Sequence, residues 1–247
     1  MLDTSLPGKQ LPLGSTHPIT HIYDEVAIIF SQMGFETITA RLINDEAAVF
    51  TNLNFPANHP ARDIMDTFYL KNKMIPIPHT SSMQNWILQN RQHQLHHNQP
   101  IAAVIAGRCF RNEKLDPTHG HTFYQLEGMY VDRGVRVSDL IGTLMTAAGM
   151  ISDRYQLGLE FKILPTFFPF VEPGLEILAR HPGSGKWIEL IPAGMIHPRV
   201  LELGGVDPQK YNGFAWAIGI DRLAMFVHSI DDIRLFHSGD LRFLRQF

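Results

Sequence analysis

Apolar residues recur at three- and four-residue steps near the start of the chain: Ile22, Val26, Ile29 and Phe30 fall on one stripe of a helix over residues 19–33. Gly34 supplies the stop. Residues 35–42 alternate weakly and suit a strand, whereas 52–62 are rich in proline and asparagine and read as loop. A short strand is predicted at 67–70 and a helix over 80–94, with Thr80 or Ser81 as its cap. The apolar run 101–106 is short enough to be a buried strand, continuing to about residue 113. A polar loop at 114–120 and a second strand over 122–131 complete a long hairpin. Residues 138–155 form a helix of small and apolar residues. The span 161–178 must be extended, because Pro165, Pro169 and Pro173 forbid a regular helix. A strand at 187–191 follows, then a strand at 213–218 feeding a helix at 220–229.

Helices and strands do not alternate as βαβ units, so the expected class is α+β with a largely antiparallel sheet flanked by helices. Residues 1–16, rich in Pro, Gly and Ser, read as a lead-in arm, and 17–247 as one catalytic-size domain. Neither GxGxxG nor GxxxxGK[ST] occurs, so neither common nucleotide-binding loop is present.

Composition narrows the class further. With 45% apolar and 18% charged residues the chain is ordinary globular protein. Its one cysteine, Cys109, excludes an internal disulfide and a cysteine zinc site, which fits a reducing, cytoplasmic setting. No apolar run approaches the ~20 residues of a membrane span, and MLDTSLPGKQLPLGS has no basic-then-apolar secretion signal. A net charge of −3 does not suggest a broad nucleic-acid surface.

The hairpin carries the chemistry. Strand residues alternate faces, so Cys109, Arg111 and Glu113 share one side, and Phe123, Gln125, Glu127 and Met129 another. If the register joins these sides, Arg111, Glu113, Gln125 and Glu127 converge. Phe123 beside them offers a stacking platform for a purine, and the Arg111 fork suits a phosphate. FAWAIGIDR then runs from strand to helix and sets Arg222 near the helix start. His93, His96 and His97 sit on a Gln-rich helix and read as a solvated face. Trp86 and Trp187 read as packing, and Arg234, Arg242 and Arg245 as a basic surface.

The stretches HPIT…MGFE, HPARDIMDTFYL, HTSSMQ, GRCFRNE…H…FYQLEG, FFPFVEPG, WIEL…GMIHP, GFAWAIGIDRLAM and IDDIRLF…DLRFLRQF occur in that order. Together they resemble the α-subunit catalytic domain of phenylalanyl-tRNA synthetases, in class II of the aminoacyl-tRNA synthetases. The resemblance implies an enzyme, a ligase that makes an aminoacyl-adenylate from ATP and an aromatic amino acid, with phenylalanine the first guess. It implies Mg²⁺ and, as further partners, tRNA and a β-type subunit, with dimerisation through the first helix.

Site roles follow from the same resemblance. Arg111 and Arg222 are the catalytic arginines. Arg111, Glu113, His119, Phe123 and Arg222 bind ATP, and Glu189 is the metal ligand. His79, Ser81, Gln125 and Glu127 hold the ammonium end of the amino acid, with Gln84 a neighbour of that set. Phe168 and Phe170 face its ring, with Val171 and Ala215 as the wall.

The chain departs from the family pattern at Trp216-Ala217 (usually Phe-Gly), Asp221 (usually Glu), Leu164 (usually Arg) and Pro192-Ala193 (usually Gly-Cys). The family's coiled-coil arm for tRNA is not among the matched stretches. Two alternatives therefore stand: a free-standing paralogue that passes the aminoacyl group to a non-tRNA acceptor, and a non-catalytic relative that senses an amino acid.

Overall fold

A computed structural model describes residues 14–63, 66–183 and 185–247. Most of the expected arm, residues 1–13, lies outside the described residues. Helix α1 (Pro18–Gln32) begins where His17 Nδ1 accepts the Ile19 N–H at 3.2 Å and Pro18 takes the first helical position, where no amide hydrogen is needed. The stripe read from the sequence, Ile22, Val26, Ile29 and Phe30, is its buried face.

After α1 come β1 (Glu36–Thr39), β2 (Ile43–Asn44), α2 (Glu46–Val49), β3 (Ile75–Pro76), α3 (Gln84–His96), β4 (Ile101–Phe110), β5 (Thr122–Asp132) and α4 (Val137–Arg154). The chain continues through β6 (Glu160–Phe168), β7 (Val171–Arg180), β8 (Ile188–Ile196), α5 (Pro198–Leu203), β9 (Asn212–Gly219), α6 (Ile220–His228), α7 (Arg234–His237) and α8 (Leu241–Leu244). A seven-stranded sheet has the order β1-β4-β5-β9-β8-β7-β6. Only its β1–β4 pair is parallel, so the expected α+β class with a largely antiparallel sheet holds.

Period-two alternation splits the central strands between two cores. Val104, Leu126, Phe214, Trp216 and Ile218 pack with α1, α4 and α6. Ala103, Ile105, Cys109, Met129 and Ala215 face the other way, onto α3 and α5. The second face is only partly covered, and the site lies there. None of the described helices is long and apolar enough to cross a membrane.

Three local expectations need correction. Residues 67–70 are irregular rather than strand: the Thr67 hydroxyl donates back to Ala61 O at 2.7 Å, and the Thr67 amide to Asp63 O, which turns the backbone away from pairing. The strand lies further on, at β3. The 52–62 loop contains two 3₁₀ turns, Thr51–Leu53 and Pro60–Arg62. The strand expected to reach residue 113 ends at Phe110. The extended span 161–178 resolves into the β6–β7 hairpin. Pro165 is tolerated on the sheet's edge strand, and Pro173, after a cis peptide bond, sits at a register shift in β7 where ladder bonding is already interrupted.

Candidate active site

The β4–β5 register pairs Cys109 with Phe123, Gly107 with Gln125 and Ile105 with Glu127, which puts the expected residues on one face. Arg111 lies just beyond β4, yet its amide donates to His121 O at 3.0 Å, so the hairpin keeps its form past the last strand residue. The guanidinium is held in three ways. Nε donates to Pro78 O at 3.0 Å, the group lies 4.7 Å from the Phe123 ring centre, and Glu113 is 3.6 Å away.

The larger cavity, about 450 Å³, is lined by His79, Ser81, Gln84, Gln125, Glu127, Phe168, Phe170, Val171 and Ala215. Its floor is the Glu127 carboxylate, 1% exposed. That group accepts from Ser81 Oγ at 2.5 Å, Thr80 Oγ1 at 3.2 Å and Gln84 Nε2 at 2.5 Å. Burial lifts its pKa from 4.5 to about 7, against the downward pull of those donors. Gln125 Oε1 accepts the Thr80 amide at 3.3 Å, and the Cys109 thiol lies 3.5 Å from the same oxygen. Burial pushes that thiol well above its usual range, so Cys109 is a neutral packing residue.

Both His79 nitrogens are buried without a partner among the described residues, and the ring stacks on Phe55 at 6.0 Å. Burial, with help from Arg111, lowers the His79 pKa to about 3, so the ring is neutral. At the apolar end Phe168 and Phe170 stack on each other at 5.7 Å, and Phe55 lies 5.7 Å from Phe170. The cavity therefore has an anionic, donor-lined floor and an aromatic end, a shape suited to an ammonium group carrying an apolar ring.

A smaller cavity of about 160 Å³ adjoins it, lined by Arg111, Glu113, His119, Phe123, Glu189 and Arg222 among others. All the residues expected to meet ATP and metal are thus in one place. Its rim is the loop between β4 and β5, closed on itself where Asp116 Oδ1 accepts the amides of Thr118 and His119 at 2.7 and 2.8 Å. The Thr118 amide, with the His119 ring and the Thr118 hydroxyl, holds the Asp116 carboxyl far below its ordinary range. Among the described residues no three His, Cys, Asp or Glu side chains are arranged to hold a metal alone. Glu189 fits Mg²⁺ as the kind of single carboxylate that shares the ion with substrate phosphates. His93 and His96 on α3, and His97 just after it, are exposed, as expected of a solvated face.

The two cavities share Arg111, Glu113, Gln125, Pro192 and Ala217. The departures from the family pattern separate here. Ala217 points its methyl at the shared wall, and Pro192 and Ala193 line the larger cavity. The Trp216 side chain packs into the opposite core, against Phe30 and Phe35. Leu164 pairs with Glu176 and lines neither cavity. Asp221 turns inward, a placement sequence reasoning did not anticipate. Phe50, Phe55, Asp66 and Thr67 also line the larger cavity and were not singled out. They come from stretches of sequence with no periodicity from which a face could be read; HPARDIMDT was the one signal pointing there.

A family model described as tRNA synthetases class II core domain (F) matches residues 1–247. The chain is also 38% identical, over 261 aligned residues, to the phenylalanine–tRNA ligase alpha subunit of Staphylococcus aureus strain JH9, covering 100% of this chain and 71% of the relative. The alpha subunits from strains Newman and Mu50 match to the same extent.

Proposed function

The chain belongs to the family of class II tRNA synthetase core domains, and we propose that it is a ligase that activates phenylalanine with ATP and serves phenylalanine–tRNA formation. One observation carries this reading: a cavity fit for an aromatic amino acid and a cavity fit for a nucleotide meet at Arg111. The amino-acid carboxylate and the α-phosphate would have to meet at that wall.

Phenylalanine binds with its ammonium on Glu127, Ser81, Gln84 and Gln125, near His79, and its ring against Phe168, Phe170, Val171 and Ala215. ATP lies along Phe123 and Glu113, its phosphates toward Arg111, His119 and Arg222. A carboxylate oxygen of the amino acid attacks the α-phosphorus in line. The new carbonyl C–O–P bond forms as the bond to the β-phosphate oxygen breaks, and pyrophosphate leaves with the electron pair. The carboxylate is already ionised, so no general base is needed. Rate comes from positioning and from arginine charge placed where negative charge builds. Glu189 would hold Mg²⁺, which when bound neutralises phosphate charge.

The relatives are named as alpha subunits, which supports a β-type partner subunit. The exposed side of α1 supports α1 as the docking element: Ile28 is 52% exposed there. The deciding experiment is ATP–pyrophosphate exchange with each of the twenty amino acids, with and without the partner subunit and tRNA. Phenylalanine-dependent exchange is expected. Exchange with none of the twenty would refute the activation step, and exchange without charging of tRNA would refute tRNA as the acceptor.

A further inference from the structure

Asp221 ties together two walls of the nucleotide cavity. It directly precedes Arg222, and its Oδ2 accepts the backbone N–H of Tyr124 at 2.5 Å, the residue next to Phe123. The β5–β9 ladder runs out at the Gln125–Gly219 pair. The carboxylate therefore extends that ladder, satisfying an amide that has no strand partner left. Its other oxygen, Oδ1, lies 2.6 Å from His237 Nε2 at the end of α7. Asp221 is 1% exposed, so its orientation depends on these two partners rather than on water.

The segment that carries His237 is itself fastened to the site. The Ile233 amide donates to Pro117 O at 2.8 Å, within the loop that bears His119. The Phe236 carbonyl lies 2.9 Å from His17 Nε2, at the start of α1, and the Phe236 ring is 2% exposed in the core. His237 is thus presented to Asp221 by a strap anchored on both sides.

We infer that His237 is a positioning residue for the nucleotide, acting through Asp221 on Phe123 and Arg222. The inference rests on reading the smaller cavity as the ATP site. The His237–Asp221 contact is a charge-assisted bond of the stronger class. Without it a buried carboxylate is left with one oxygen unpaired, and it turns or draws in water. Tyr124 then loses its fixed acceptor, and the spacing of Phe123 and Arg222 is no longer set before the nucleotide arrives. The phenylalanine side is built on other bonds, those of Glu127 to Ser81, Thr80 and Gln84.

The test measures calorimetric affinity of the full chain for ATP–Mg²⁺ and, separately, for phenylalanine, alongside the thermal midpoint. His237→Phe keeps ring volume and removes the hydrogen bond; His237→Gln keeps a nitrogen donor at similar reach; His237→Ala removes both. The Phe and Ala variants are expected to bind ATP about tenfold more weakly, with phenylalanine affinity unchanged. The Gln variant should recover most of the ATP affinity. Wild-type ATP affinity in His237→Phe, an equal loss for both ligands, or no recovery in His237→Gln would each overturn the inference. A wild-type chain that binds no ATP would instead bring down the reading of the cavity, and the inference with it.

Discussion

Glu127 and Ser81 are joined by a 2.5 Å hydrogen bond at the floor of a cavity where the carboxylate is 1% exposed. The carboxylate is held where water is excluded, and three donors do not fully offset that burial. The carboxyl consequently titrates at about 7 rather than 4.5. Phenylalanine brings an ammonium that only the ionised form attracts. Below pH 7 binding must therefore first remove a proton, and affinity should fall about tenfold per pH unit. Calorimetry from pH 5.5 to 8 checks this; a flat profile, with Glu127→Gln showing the same flat profile, would remove Glu127 from the ammonium site.

The same shifts set the stability of the unliganded chain. Glu127 holds its proton to higher pH when folded than when unfolded, so its contribution falls as pH rises from 4.5 to about 7. His79 has the opposite effect. Its folded pKa is lowered from 6.5 to about 3, so its contribution rises with pH across that interval. The two slopes oppose one another between 4.5 and 6.5. Glu127→Gln should release the His79 slope, and the variant should gain on wild type by roughly 3 kcal/mol between pH 4.5 and 7. Urea unfolding at several pH values reads the difference, and parallel curves for the two proteins would contradict it.

Arg111 is held by Pro78 O, the Phe123 face and Glu113 before any substrate arrives. A preorganised cation of this kind stabilises developing charge without reorganising during the reaction. Arg111→Ala should lower phenylalanine-dependent ATP–pyrophosphate exchange by about 10²–10³, and Arg111→Lys should recover little, since an ammonium cannot reproduce the planar fork. Wild-type exchange in Arg111→Ala would show that the two cavities do not meet in the reaction.

How far the site was legible in the sequence follows from what each residue's position depends on. Arg111, Gln125, Glu127 and Phe123 were readable because strand alternation and one hairpin register determine their face. The stripe of α1 was readable for the same kind of reason, with a different period. Phe55 and Thr67 were not, because they sit in irregular backbone where no period applies. The strand expected at 67–70 failed because side-chain-to-backbone bonds, such as Thr67 to Ala61 O, outcompete ladder pairing there. The inward turn of Asp221 depends on His237, sixteen positions away, a pairing that only the folded chain creates.

Ala217 lies on the wall common to both cavities. A larger side chain there would project between the amino-acid carboxylate and the α-phosphate. Ala217→Val suits a strand, so the fold should tolerate it, but its two extra methyl groups would separate the reactants. The expected result is a loss of at least tenfold in exchange rate, since a misplacement of about 1 Å can cost about 10²-fold, with a thermal midpoint close to wild type. Unaltered exchange would mean that neither substrate approaches this wall.

Gly128 and Trp216 face each other across the β5–β9 pair, and a Cβ built on Gly128 would lie 2.0 Å from two carbons of the Trp216 ring. The indole has little room to retreat, being 2% exposed and wedged among Phe30, Phe35 and Phe214. Gly128→Ala should therefore overpack this core by about 1–3 kcal/mol or more, lowering the melting temperature by about 2–4 °C per kcal/mol. Trp216→Phe removes the part of the indole that a Gly128 methyl would strike, so the double variant Gly128→Ala/Trp216→Phe should be more stable than Gly128→Ala alone. The Trp216 ring packs with Phe30 and Phe35, while the residue lines the larger cavity and not the smaller one, so ATP affinity should change far less than the melting temperature. Strict additivity of the two substitutions would show that the clash does not set the residue at position 128; a coupling energy above about 1 kcal/mol is the expected outcome.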